Sequence, residues 1–238
     1  MDASALRQEI DQLCNDLFDT VELRRYFARP LTWPAERTRM AMLRRYFVPT
    51  NRDCWAYVMG GAPLDVKRAI WEHEQDELIF DPRLGAAHVD ADRAPGGASP
   101  GPSARDAAIE APPGVRVATF ARVEYARHSP WLAGLAASHV LERINDPSVI
   151  QGPALVQRQV NHLIEDLGVP PDQIPPRLRV HLDADVEHAR SIWGVFEQYV
   201  RDAASYAEAL AGARMGLDCF RVYAGAVGDL MVSAARDE

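Results

Sequence analysis

Apolar residues recur at every third or fourth position along most of this chain, and no stretch alternates apolar and polar residues with a period of two. The three-to-four spacing places apolar side chains on one face of a helix, whereas a half-buried strand requires the alternation. The first segment shows the pattern clearly, with Leu6, Ile10, Leu13 and Leu17. The sequence therefore predicts an all-α fold.

Proline, glycine and aspartate residues divide this pattern into separate helices, the first of which Ser4 is expected to cap. We expect helices at about 4–27, 35–47, 53–59, 64–79, 115–127, 131–144, 155–167, 178–201, 203–214 and 217–235. Between about 90 and 114 the chain is rich in Ala, Pro, Gly and Ser, which predicts a flexible surface loop. The pieces on either side are too thin to hold separate cores, so we expect one domain over 1–238.

Charge and composition exclude several classes of protein. The net charge of −8 disfavours binding to nucleic acid or to an anionic membrane, because both require a positive face. No run approaches the roughly 18 apolar residues that a membrane span requires, and the acidic N-terminus lacks the features of a signal peptide. Cys14, Cys54 and Cys219 form no CxxC pair, so neither a disulfide framework nor a thiolate zinc site is indicated. We expect a cytoplasmic protein.

The strongest functional signal lies in residues 180–193. His181, Asp185 and His188 stand at relative positions 0, 4 and 7. At roughly 100° per residue, these three side chains share one stripe of a helix. Small apolar residues flank the stripe, and imidazole and carboxylate groups on such a face are typical ligands of a first-row metal. The alternative is a charged helix with three polar surface residues.

Two other helices offer carboxylates that could complete a metal site. Glu142 follows a run made mostly of Ala, Leu, Gly and Val, and a buried carboxylate must be paired, bound to metal or at a helix edge. Pairing with Arg143 is the alternative. Glu74, Glu77 and Asp81 share a stripe of the acidic helix, where a bound metal would relieve their mutual repulsion. A solvated acidic face is the alternative there.

Three further histidines lie near these carboxylates. His88 follows the acidic helix and could fold back as a ligand. His73 is expected to face away from the site. His139, three residues before Glu142, is interpreted as a hydrogen-bonded core residue. The sequence contains no nucleophile-elbow, P-loop or dinucleotide-binding motif, so nothing indicates a hydrolase or a nucleotide-dependent enzyme.

This combination resembles the haem-oxygenase-like family of di-iron oxidases and oxygenases, whose fold is shared by thiaminase II and pyrroloquinoline-quinone synthase. The His-x3-Asp-x2-His motif matches the late helix of that family in type and spacing, and Glu142 in AASHVLER matches the glutamate of its central helix. The likeness covers roughly residue 63 to the C-terminus. It implies a single-domain helical bundle, with Glu74 and Glu77 as competing candidates for one ligand position. The implied metal ligands are Glu74, Glu77, His88, Glu142, His181, Asp185 and His188.

The resemblance also implies a function. Two Fe(II) ions, with manganese as an option in place of one, would use O2 to oxidise or cleave a small amino-acid or fatty-acid-like carboxylate in a biosynthetic pathway. Arg122, Arg127 and Tyr125 are then the candidates for contact with the substrate, and a homodimer is compatible with the family. One alternative is a metal-free enzyme of the same fold. The other is a non-enzymatic helical interaction protein with solvent-exposed His181 and His188.

Overall fold

The computed structural model describes residues 2–93 and 109–236, apart from the side chains of residues 91–93, 183 and 185. Within these ranges all regular structure is helical, which confirms the all-α prediction. The α-helices are α1 (Ala3–Phe18), α2 (Val21–Tyr26), α3 (Trp33–Met42), α4 (Val48–Gly61), α5 (Leu64–Leu78), α6 (Pro113–His128), α7 (Trp131–Arg143), α8 (Leu155–Glu165), α9 (Pro176–Tyr199) and α10 (Ala203–Ala234). Short 3-10 turns occupy His88–Arg93 and Pro171–Gln173.

The N-terminal helices begin and end at residues other than those predicted. Asp2, not Ser4, caps α1 by accepting a hydrogen bond from the backbone N–H of Ala5 at 3.0 Å. The chain turns after α1, so the single helix expected over 4–27 is two helices. The break expected at 49–51 is absent, because a π-helical turn, Leu43–Phe47, joins α3 to α4. This wider turn just before Pro49 avoids the clash that proline makes inside an ordinary α-helix.

A seam of small residues joins α10 to α7 at the centre of the molecule. A Cβ atom on Gly212 would overlap the carbonyl oxygen of Ala133, and one on Gly216 would overlap that of Ala137. The two backbones can approach this closely only because both positions lack a side chain. The expected division between 214 and 217 is therefore wrong: Gly216 is a contact point inside one continuous helix.

Helices α5 and α9 pack together, and α9 also packs on α7. The buried face of α5 begins with Val66 and Ile70 and then continues with charged and polar residues, among them His73 and Glu77. Glu142 is buried near the end of α7. Polar side chains from three helices therefore enter the interior at one end of the bundle.

The loop expected at about 90–114 lies mostly outside the described residues, and α6 already begins at Pro113. Apolar residues of helices from both ends of the chain, such as Leu6 and Met231, belong to one core. Among the described residues, no helix combines the length and the apolar character that crossing a bilayer requires.

Candidate metal centre

Three helices contribute to a first group of histidine and glutamate side chains. His73 on α5, Glu142 on α7 and His188 on α9 each present one nitrogen or oxygen atom, and these atoms all lie within 4.8 Å of one another. The rings of His73 and His188 are 4.3 Å apart between centroids, and His73 Nε2 is 3.4 Å from Glu142 Oε1. All three side chains are buried. We call them the first ligand group.

A second ligand group lies beside the first. It consists of Glu77 on α5, His88 in the following 3-10 turn and His181 on α9, again with one atom from each within 4.8 Å of the others. His88 Nδ1 is 2.9 Å from Glu77 Oε1, and the rings of His88 and His181 are 4.8 Å apart. The ring of His88 is also 6.2 Å from that of His188, so the two groups are neighbours.

Most of the predicted ligands are brought together in these groups. The members that were predicted are Glu77, His88, Glu142, His181 and His188. The side chain of Asp185 lies outside the described residues, although its backbone belongs to α9. Glu74 joins neither group, because its Oε1 accepts a hydrogen bond from Arg52 Nη1 at 2.7 Å and lies 2.9 Å from His73 Nδ1. Its carboxylate thus contacts Nδ1 of His73, a member of the first ligand group.

His73 is the member that the sequence reasoning missed. The expectation that it faces away is wrong, since its side chain is buried to 3% exposure inside the first ligand group. A usable signal was present: Val66 and Ile70 belong to the core, and His73 and Glu77 continue the same helical face at three- and four-residue spacing.

His139 is a core residue, as expected, but without the expected hydrogen bonds. Its ring lies 5.9 Å from that of Trp193 and 5.3 Å from that of Phe196. Neither ring nitrogen has a hydrogen-bond partner among the residues that the structure describes. Burial lowers its pKa well below the ordinary value, so the imidazole is neutral. His139 is therefore a neutral ring packed beside Trp193 and Phe196, and it belongs to neither ligand group.

Arg52 offsets the negative charge of the site from α4. Its Nη1 is 2.7 Å from Glu74 Oε1 and 3.2 Å from Glu77 Oε2. Burial alone would raise the pKa of Glu77, but the Arg52 guanidinium and the hydrogen bond with His88 outweigh burial and hold that pKa well below its usual range. Glu77 is therefore an ionised carboxylate in a buried position.

The two histidines of the first group differ in protonation. Burial, helped by the positive charge of His73, lowers the pKa of His188 to about 3, so this ring is neutral and offers a nitrogen lone pair. Burial also acts to lower the pKa of His73, but the adjacent carboxylates of Glu142 and Glu74 outweigh it and raise the pKa to about 9. A metal ion entering this group would displace a proton from His73.

The residues present fit a metal ion in each group. Each group offers two imidazoles and one carboxylate, the donor set of many non-haem iron(II) sites. Neither ring nitrogen of His188 has a hydrogen-bond partner in the part of the chain that the structure describes, although both atoms are buried. A buried polar atom without a partner costs about 1–3 kcal/mol, and coordination to a metal would remove that cost for one nitrogen.

A cavity of about 100 Å³ opens beside both groups. Glu77, Glu142 and His181 line it, together with Arg52 and Arg177. Apolar residues complete the wall: Leu43, Phe47, Val48, Leu141, Ile144, Leu155 and Val156. Pockets for drug-sized molecules measure about 300–1,000 Å³, so this cavity suits a much smaller substrate.

The three predicted substrate contacts do not line this cavity. Arg122 and Tyr125 line a separate space of about 10 Å³, and Arg122 Nη2 donates a hydrogen bond at 2.8 Å to Asn51, a residue of the cavity wall. Arg127 is exposed and lies over the ring of Tyr57 at 5.8 Å. The arginines that line the cavity are instead Arg52 and Arg177. Both fall in segments expected to be non-helical, so no helical face could be assigned to them from the sequence.

Comparisons with known proteins give no family for this chain. No family model matches the sequence, and a search of curated proteins finds no match either. The two ligand groups and the cavity beside them are therefore the features that bear on function.

Proposed function

We propose that this protein is a non-haem di-iron enzyme that uses O2 to oxidise a small carboxylate. One observation carries the proposal: two adjacent groups, each with two histidines and one glutamate, border a single small cavity. The resemblance of the sequence motifs to the haem-oxygenase-like oxidases supports the same conclusion. Two bound iron ions would supply the electrons for reaction with O2. A cytoplasmic location and a homodimer belong to this proposal as well.

The protein side chains have separable roles in this proposal. His73, Glu142 and His188 hold one ion, while Glu77, His88 and His181 hold the other. The ionised carboxylates offset the charge of two divalent cations in a site with little water. Glu74 orients His73 through its Nδ1 atom, 2.9 Å away, which leaves Nε2 for the metal.

The cavity walls indicate the class of substrate. Arg177 precedes His181 by four residues on α9, so both side chains lie on one helical face, and both line the cavity. A carboxylate bound near Arg177 would place the rest of a small molecule against Leu43 and Phe47 of the π-helical turn. Such turns are frequent at functional sites. The small volume favours a substrate of amino-acid size over a long-chain fatty acid.

Anaerobic reconstitution with Fe(II) tests the metal centre. We expect the wild-type chain to bind about two equivalents, and His188→Ala and His181→Ala to lose one or both, because each removes a ligand from one group. His128→Ala is the matched control, since this histidine lies on α6 with a side chain 65% exposed. Absence of stoichiometric iron in the wild type, or equal binding by His188→Ala and His128→Ala, would contradict the metal centre.

Oxygen consumption tests the reaction separately. The reconstituted protein should consume O2 faster when a suitable small amino acid or short carboxylic acid is present, and Arg177→Met should weaken this dependence on substrate. If iron binds but O2 consumption never exceeds that of the His188→Ala variant, the metal centre stands and the oxidase function is wrong. If the protein converts a substrate and chelators do not reduce the rate, the protein is a metal-free enzyme of the same fold.

A further inference from the structure

Arg83 lies outside both ligand groups, yet it binds three acidic residues around them. Its Nε donates to the two carboxylate oxygens of Asp81 at 3.0 and 2.9 Å, and its Nη2 donates to Asp76 at 3.0 Å. Its Nη1 donates to Glu187 at 2.9 Å. These partners come from α5, from the turn that follows it and from α9. Arg83 therefore joins the elements that carry all four histidines of the two groups.

Asp81 connects this arginine to the second ligand group. Its carboxylate is fully buried, and its Oδ2 lies 2.7 Å from His88 Nε2. A carboxylate accepts at this distance, so Asp81 favours an N–H on Nε2 of His88, and Nδ1, which is 2.9 Å from Glu77 Oε1, is the nitrogen left for a metal ion in the second ligand group. Carboxylates that hold the outer nitrogen of a ligand histidine fix its tautomer and its ring orientation.

Asp76 and Glu187 connect the same arginine to the first ligand group. Asp76 Oδ2 is 3.6 Å from His188 Nε2, which is near but too long for a hydrogen bond, and Glu187 directly precedes His188 on α9. The side chain of Arg83 is 34% exposed and that of Glu187 is 70% exposed. The network therefore runs from buried Asp81 to the surface, where it can be cut without opening a hole in the core.

We propose that Arg83 is a positioning residue for both metal sites: through Asp81 it fixes His88, and through Asp76 and Glu187 it fixes the α9 turn that carries His188. The proposal rests on the metal centre argued above. Without Arg83, Asp81 and Asp76 would lose the cation that holds them. His88 would then lose its fixed orientation, and the α9 turn that carries His188 would lose its contact at Glu187. Loss of such outer partners typically lowers metal affinity about 10- to 100-fold.

Titration of the metal-free full-length chain with Co(II) tests this role, because cobalt reports its ligand geometry by visible absorption. We expect Arg83→Gln to bind Co(II) about 10- to 100-fold more weakly than wild type, with altered absorption bands. Arg83→Lys should recover part of the affinity, since it keeps the charge but not the forked geometry. The matched control is Arg25→Gln, which breaks an ion pair with Asp229 on the opposite elements α2 and α10.

If Arg83 only stabilises the fold, the result will be different. In that case Arg83→Gln lowers the thermal midpoint of the metal-free protein, while Co(II) affinity and absorption bands stay as in wild type. This outcome overturns the positioning role. Glu187→Gln supplies a second variant whose exposed position cannot disrupt folding, and it should weaken Co(II) binding in the same direction but less. Unchanged binding in both variants also overturns the role. No Co(II) binding by the wild type overturns the metal centre itself.

Discussion

Helix α7 borders two buried regions of opposite composition, one apolar and one polar. Toward α10 it forms what we call the glycine seam, where Gly212 and Gly216 meet the backbone of Ala133 and Ala137. Toward α5 and α9 it carries Glu142 into the two ligand groups, a region that we call the polar junction. The seam buries only small apolar surfaces, whereas the junction buries imidazoles and carboxylates.

The difference between the regions separates stability from function. The four seam residues carry no polar side-chain atom, so their close backbone approach adds dispersion contacts with no side-chain hydrogen bond to satisfy. The junction carries a neutral His188 whose two ring nitrogens have no hydrogen-bond partner among the described residues. An apolar side chain would be more stable there, so these groups are explained better by ligand binding than by folding.

The largest expected effect comes from the seam. Gly216→Ala should destabilise the protein by about 3 kcal/mol or more, because the added methyl group overlaps the carbonyl oxygen of Ala137. The matched control is Gly194→Ala on α9, where a Cβ meets nothing within 4 Å and a gain of about 0.5–1 kcal/mol is expected. Chemical denaturation followed by circular dichroism measures both. Equal effects would mean that the seam is not closely packed.

The seam also shows where sequence reasoning fails for the fold. Helix propensity assigns glycine a cost, so Gly216 predicts an interruption, but the tertiary contact with α7 outweighs that local preference. Pro49 fails in the same way, because the π-helical turn before it lets the helix continue. The all-α class was predictable because it depends on periodicity over the whole chain and not on single residues.

At the junction, the histidines and carboxylates next to apolar residues could be predicted. Glu142 and His188 lie on helical faces whose neighbours are small and apolar, so the pattern itself indicated their burial. Arg52 and Arg83 could not be predicted, because their contacts depend on a helix that continues through a proline and on the path of the turn after α5. Spacing within one helix says little about which residues of other elements meet it.

Metal addition should stabilise the junction and leave the seam unaffected. At a free metal concentration about one hundredfold above the dissociation constant, Fe(II) under anaerobic conditions should raise the free energy of unfolding by about 2.7 kcal/mol for each ion bound. The same increment is expected in Gly216→Ala if that variant folds, because effects at sites without shared partners add. A chelator should reverse the increment. No increment in the wild type would remove the functional explanation for the polar junction.

Replacing His188 by leucine should stabilise the metal-free protein and weaken metal binding. In the metal-free protein, His188→Leu should gain about 1 kcal/mol, since a buried ring with two unpartnered nitrogens gives way to an apolar side chain of similar volume. The same variant should lose most of the increment that Fe(II) produces. The control His128→Leu, at an exposed position, should change stability by less than about 0.5 kcal/mol. A marked destabilisation by His188→Leu would contradict the contrast between the two regions.

The smallest expected effect is at Asp2, a residue that belongs to neither region and serves as a reference for both. Asp2→Ala removes the hydrogen bond that the Asp2 carboxylate accepts from the backbone N–H of Ala5 at the start of α1. The cap is exposed, so we expect a loss near the low end of the usual range, about 0.5 kcal/mol, and Asp2→Asn should keep the cap. Thermal or chemical unfolding with and without Fe(II) should show the same metal increment as in wild type. If Asp2→Ala reduced that increment, metal binding would depend on the stability of the whole bundle, and the separation between seam and junction would fail.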